Sequence, residues 1–180
     1  FAFVDEVIRM TEKKGMYMGL LPTWGDKVDR AWGQGPVVFN EENAFLYGQY
    51  LGRRYAGFRN IIWIMGGDRS GGGDNTAVWD AMARGIKSED TNHLMTFHSL
   101  GRNTSSAWFH DREWLDFNSA HTGHHHYTFD IFEKLISGDY SKEPTKPIIN
   151  LEPCYEDHPV RSQPKGVSLW FDDASVRHAM

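Results

Sequence analysis

Apolar positions recur along the chain with two alternating periods. In "FAFVDEVIRMTEKKG", Phe3, Val4, Val7 and Ile8 form one stripe at helical spacing, with Gly15 as the stop. "MYMGLL", from Met16 to Leu21, is a continuous apolar run closed by Pro22, the pattern of a strand buried on both faces. Asn40 caps a helix through about Tyr55 that turns Ala44, Phe45, Gly48 and Leu51 inward. A second buried strand, "NIIWIMG", spans Asn60 to Gly66. After a glycine-rich loop, Val78, Trp79, Met82 and Ile86 mark the inner face of another helix. "HLMTFH" (His93 to His98) reads as a third strand and "LDFN" (Leu115 to Asn118) as a short fourth. A helix carrying Phe129, Phe132, Leu135 and Ile136 leads to a fifth buried strand over Pro147 to Leu151, which ends on Glu152 with Pro153 behind it. A last helical pattern, Ala174, Val176, Ala179 and Met180, follows Asp172 and Asp173.

Strand and helix alternate, which predicts an α/β fold with a parallel sheet and helices packed outside it. Two architectures compete, an open doubly wound sheet and a (β/α)8 TIM barrel of which 180 residues would be only part. Trp24, Asp68, His98, His121 and Glu152 each fall at or just beyond the C-terminal end of a different strand, where barrel enzymes assemble their sites. The helical beginning and ending favour the barrel too. The expectation is one partial catalytic barrel domain over 1–180 with no second domain, whose open parallel edges would be prone to pairing with other chains.

Composition narrows the partners. A net charge of -5 without a Lys/Arg cluster argues against nucleic acid, and no apolar run approaches the roughly 20 residues of a membrane span. Cys154 is the only cysteine, so no internal disulfide forms, and with no base at a recognisable spacing it reads as a packed thiol.

Asp68 ends "IIWIMGGD" much as Glu152 ends "PIINLE". One such acid is ordinarily a cap or a structural ion pair. Two at strand ends, with two strands between them, would face each other across a barrel mouth. Retaining glycosidases hold their two carboxyls about 5–5.5 Å apart in this way. "HTGHHH" supplies His121, His124, His125 and His126, and with His98, His110 and His158 it raises zinc, although no HExxH-type spacing accompanies it. His98 and His121 are better assigned to sugar hydroxyls or to holding Glu152. The loop "GGDRSGGGDN" lacks the Lys-Ser/Thr ending of a phosphate loop, and flexible access is the expected reason for its glycines. Trp63 and Trp79 read as core, whereas Trp24, Trp32 and Trp108 lie in loops where a ring can stack on a sugar. Tyr155 is placed to hydrogen-bond Glu152 or merely to pack, and Glu156 and Asp157 read as a solvated turn.

"GLLPTWGDKV", "NIIWIMGGDR", "HLMTFH", "SSAWFHDREWLDFN" and "LEPCYEDHP" together resemble the apiosidase-like glycoside hydrolases of bacterial pectin degradation, which are similar to the larger clan of retaining barrel glycosidases. The resemblance implies that Asp68 is the acid/base at the fourth barrel strand and Glu152 the nucleophile at the seventh. The chain would then hold strands three to seven and lack the first, second and eighth. It further implies an oligo- or polysaccharide substrate, with apiose removal from a pectin side chain (rhamnogalacturonan II), no metal or organic cofactor, and export to the periplasm or beyond. Gly67 departs from the wider clan, where many members place an Asn before the acid. Arg69, beside Asp68, is read as turning towards a uronate carboxylate of the leaving group, with a surface ion pair as the alternative. Two other classes remain open: a metal-dependent barrel hydrolase built on His98, His121 and the histidine cluster, and an inactive carbohydrate-binding barrel that would tolerate loss of both acids.

Overall fold

The computed structural model describes residues 1–31, 33–124, 132–161 and 168–179. Helix α1 (Ala2–Lys13) leads to β1 (Met18–Leu20), and α2 (Glu41–Tyr55) leads to β2 (Ile61–Arg69). Helix α3 (Asn75–Lys87) precedes β3 (Met95–Ser99), β4 (Asn103–Thr104) and a single turn, α4 (Ser106–Phe109). Then come β5 (Asn118–His121), a π turn (Phe132–Ile136) running into α5 (Ser137–Tyr140), β6 (Ile148–Glu152) and α6 (Asp173–Ala179). No helix among the described residues is long and apolar enough to cross a membrane.

β1, β2 and β3 pair in parallel, as do β5 and β6. The two groups are joined in an unusual way, because β3 and β5 lie side by side with side chains replacing much of the ladder. Thr96 Oγ1 donates to the Phe117 carbonyl at 2.8 Å, Ser119 Oγ donates to the Phe97 carbonyl, and the Asp116 amide donates to the Met95 carbonyl at 2.9 Å. This explains a misplaced strand. Apolar "LDFN" reads as the fourth strand, but the strand is polar "NSAH", three residues on, and all four of its residues are buried. Leu115 instead closes a turn and packs into the core.

Strict alternation is also interrupted, since β4 runs antiparallel to β5 as a short flap between β3 and α4. β1 and β6, expected to be buried, are half-exposed, with Ile149 49% accessible. Among the described residues each pairs with a strand on one edge only.

The core sits between the sheet and helices α2 and α3. Trp63, Met65, Met95 and Phe97 meet Leu51, Tyr55, Trp79, Met82 and Ile86, and the Trp79 ring packs edge-on against Phe97. α2 starts at a reciprocal capping box between Asn40 and Asn43. Beneath the strands, fully buried Asp90 accepts from Trp63 Nε1 at 2.8 Å and pairs with His93 Nδ1 at 2.6 Å, while His93 Nε2 reaches the Phe58 carbonyl. Desolvation opposes the Asp90 charge, but these donors outweigh it and hold the carboxyl below its usual range. Asp90→Ala, which leaves buried donors unpaired, is expected to cost on the order of 3 kcal/mol in urea unfolding. A loss below about 0.5 kcal/mol would show the cluster to be incidental.

Candidate active site

The end of β2 breaks its own ladder. Gly66 pairs with His98 and Arg69 with Ser99, so Gly67 and Asp68 bulge out between them. Gly66, Gly67 and Asp68 have φ of 91°, 104° and 55°, three left-handed residues in a row. A Cβ on Gly66 would meet the His98 carbonyl oxygen at 2.3 Å, and one on Gly67 would meet the Trp24 ring at 2.9 Å. An Asn therefore has no room at 67. Asp tolerates the left-handed region better than most side chains, which suits it to the bulge's third position.

β6 has a matching irregularity. Ala120 pairs with Asn150 and His121 with Glu152, so Leu151 is skipped and Glu152 comes level with His121. The Thr122 and Gly123 amides both donate to the Glu152 carbonyl at 3.1 Å, fixing the backbone beneath the carboxylate.

Two histidines bridge the acids. The Asp68 amide donates to His98 Nδ1 at 3.4 Å, which leaves His98 Nε2 to carry the proton toward Glu152 Oε2 at 2.9 Å. His121 Nδ1 lies 3.0 Å from the Ser99 carbonyl and 3.2 Å from Asp68 Oδ1, and its Nε2 lies 3.5 Å from Glu152 Oε2. Tyr155 donates its hydroxyl to Glu152 Oε1. These contacts, the His98 hydrogen bond foremost, hold Glu152 down at about 2 despite partial burial. Burial first, then the Glu152 partner, pushes the Tyr155 phenol up to about 12, so it stays a donor. The result is an ionised, oriented carboxylate opposite a second acid.

Both acids line one cavity of about 570 Å³, together with His121, His124, Arg102 and Arg161. A larger hollow of about 840 Å³, lined by Asp80, Arg84, Lys87, Arg112 and Trp114, contains none of the candidate residues. Its polar groups largely serve one another, as in the Arg112–Asp80 pair and the Trp114 Nε1 bond to Asp80.

The other candidates divide. Trp24 is 47% exposed, on Gly67 and 6.2 Å from the His98 ring. Trp108 belongs to α4 and is half-buried against Phe97 and the Gly71–Gly72 turn. That turn is packed, not an open hinge: a Cβ on Gly71 would lie 2.3 Å from the Phe109 ring. Arg69 corrects the sequence reading outright. It is fully buried, with Nε donating to the Asp29 carbonyl and Nη1 to the Asp68 carbonyl, both at 2.9 Å. The side chain runs under Gly25 and braces the bulge from the interior, not from the surface where a substrate contact or a surface pair is expected. His110 bonds to Asn118, away from the acids, and Trp32, His125 and His126 lie outside the described residues. Cys154 is buried with its thiol toward the Ser175 carbonyl, and burial raises its pKa. Sequence reasoning missed Arg102, Arg161 and the individual role of His124. Only the paired topology brings these residues to the cavity.

Asp68, His98, His121 and Glu152 each offer one ligand atom within 4.8 Å of the others, so by count they could surround a cation. The proton pattern suits it less well. A ligating histidine normally donates its second ring nitrogen outward. His121 does so to the Ser99 carbonyl, but His98 receives an amide there and turns its own N–H onto Glu152.

The model of the family described as apiosidase-like, catalytic domain, matches residues 1–180. Among solved structures, the chain is similar to a glycoside hydrolase family 5 protein from Bacteroides vulgatus ATCC 8482, with 38% identity and a TM-score of 0.86 over 98% of this chain and 38% of that one. It is similar also to a second structure described as a glycoside hydrolase, with 36% identity and a TM-score of 0.85 over 98% of this chain and 41% of that one. The chain thus spans about two fifths of the length of these proteins. No curated protein matches it.

Proposed function

The chain belongs to the apiosidase-like catalytic domain family, and from that premise we propose that it carries the catalytic pair of a retaining glycoside hydrolase. One observation carries the reading: oxygens of Asp68 and Glu152 lie within 4.8 Å of each other, bridged by two histidines over a single cavity. That closeness suits direct attack. An inverting pair stands about 6.5–9.5 Å apart to leave room for water. The five parallel strands would be strands three to seven of an eight-stranded barrel.

In the first step Glu152 attacks the anomeric carbon while Asp68 gives its proton to the departing oxygen, leaving a glycosyl ester on Glu152 and an ionised Asp68. In the second, Asp68 takes a proton from water as the water oxygen displaces Glu152, and both acids return to their starting states. His98 and Tyr155 keep the nucleophile ionised, and Trp24 offers a stacking face beside Asp68. A mechanism-based fluorosugar tests the assignment. It should label Glu152, and an ordinary substrate should give a product of unchanged anomeric configuration; labelling elsewhere would reject the assignment. By ligand count alone the four-residue cluster keeps a metal-dependent hydrolase as the second reading, and activity lost on chelation and restored by a divalent ion would support it instead.

For the substrate, our reading is apiose removal from a pectin side chain, whose backbone is a polyuronate; the apiosidase-like family description supports the sugar. Arg69 is unavailable for an anion, but exposed Arg102 and Arg161 line the cavity, and neither has an ion-pair partner among the described residues. Replacing both with alanine is expected to lower kcat/KM about 10- to 100-fold on a uronate-linked apioside and less than about threefold on a neutral aryl apioside. Equal losses would dissociate the arginines from substrate charge.

A further inference from the structure

His124 has no place in the mechanism above, yet it is placed to touch the sugar. The residue is 7% exposed, lines the same cavity, and is held by tilted ring contacts with Tyr155 (4.2 Å between centroids) and His158 (4.3 Å). Its backbone is pinned where the His124 carbonyl accepts the Arg161 amide at 2.9 Å. Burial foremost, then the neighbouring His158, lowers its pKa, so the ring is neutral near pH 7 and carries one proton.

The position of that proton follows from the surroundings. Nδ1 is buried without a hydrogen-bond partner among the described residues, and an unpaired buried acceptor is better tolerated than an unpaired N–H. The proton therefore belongs on Nε2, which faces Glu152 Oε1 at 3.9 Å. That gap is too long for a hydrogen bond. It has a use if a third atom joins it, because an oxygen about 2.8 Å from both fits between them at an angle of roughly 90°. A hydroxyl there would accept from Nε2–H and donate to Oε1.

We infer that His124 and Glu152 together hold the hydroxyl on the sugar carbon next to the anomeric centre. This rests on the glycosidase reading, since a carboxylate in line with the anomeric carbon also lies beside that neighbour's substituent. The bond that this hydroxyl donates to Glu152 strengthens as positive charge develops on the ring, and His124 orients the hydroxyl for it, so loss of His124 would lower kcat more than it raises KM. Tyr155 and His98 hold the two carboxylate oxygens directly, so loss of His124 leaves the nucleophile in place.

A cycle of two substrates against two enzymes tests the contact. For an aryl apioside, His124→Phe, which keeps the ring contact with Tyr155, should lower kcat/KM about 10- to 100-fold, mainly in kcat. For the 2-deoxy analogue the same change should cost less than about threefold, since the partner hydroxyl is gone. The analogue's intrinsic reactivity is common to both enzymes and cancels. Equal losses on both substrates would overturn the contact and leave a structural role. If His124→Phe does not fold, His124→Asn, whose amide is too short to bridge, should show the same selectivity. The wild type alone is also informative: turning over both glycosides equally, relative to their spontaneous rates, would overturn the contact. If it turns over neither and fluorosugars leave Glu152 unlabelled, the glycosidase reading itself falls and the contact with it.

Discussion

Glu152→Gln is expected to lower kcat/KM by about 10⁴-fold or more, with ligand binding largely kept. The amide has nearly the shape of the carboxylate, but its one carbonyl accepts from only one of Tyr155 and His98, its NH2 faces the other donor, and it cannot form the ester on which the two-step route depends. The electrostatics sharpen this. Glu152 is held at about 2, so it is ionised throughout the working range and the acid limb of the wild-type pH profile belongs to another group. The sign also fixes a stability effect: a carboxyl depressed from 4.5 stabilises the fold above about pH 4.5, and that contribution fades as pH falls toward 2. Glu152→Gln lacks it, so variant and wild type should converge in stability in acid. In Glu152→Ala, where space is freed, azide should restore turnover and give a glycosyl azide of inverted configuration. Activity of Glu152→Gln within tenfold of wild type would remove Glu152 from the chemistry.

Much of this was readable from the sequence where side-chain pattern and backbone pairing carry the same message. β2, β3, α2 and α3 have apolar periods that match their burial, and Trp63 and Trp79 fall in the core as read. β5 was misplaced because its polar residues bond to carbonyls of β3, a job with no apolar signature. The same limit hid the role of Arg69. Its charge suggested a ligand, but a guanidinium can equally satisfy main-chain carbonyls under a bulge, and only the bulge's geometry creates that demand.

The acids were found because strand ends are marked in sequence, whereas their closeness was not. It depends on two register shifts, one between Gly66 and Arg69 and one between Ala120 and His121. "GGD" does carry a trace of the first, since consecutive glycines permit positive φ. Nothing in "NSAH" or "NLE" announces the second. The residues joined through these shifts, His98 between an amide and a carboxylate and His121 between two carboxylates, form a site whose geometry is set by the irregularities of the sheet, not by its regular part.

Asp68→Asn completes the test of the pair, and Asn is the substitution of choice because position 68 sits at φ 55°, where Asn, like Asp, is tolerated and Ala is strained. Without an acid, a glycoside with a poor leaving group should lose about 10²- to 10⁴-fold in kcat/KM. An activated aryl glycoside needs little protonation to depart, so its first step should be nearly normal while the second, which needs a base for water, slows. The glycosyl ester on Glu152 should then accumulate, giving a burst of phenol and an adduct visible by intact mass. Azide is already an anion and needs no base. It should relieve the block and give a glycosyl azide of retained configuration, opposite to the product from Glu152→Ala. The two azide products separate the roles: a common configuration from both variants would mean that Asp68 and Glu152 do not act in succession on opposite sides of one bond. An Asp68→Asn enzyme as sensitive with an activated leaving group as with a poor one, and showing no burst, would leave Asp68 a positioning residue and require the proton to come from elsewhere.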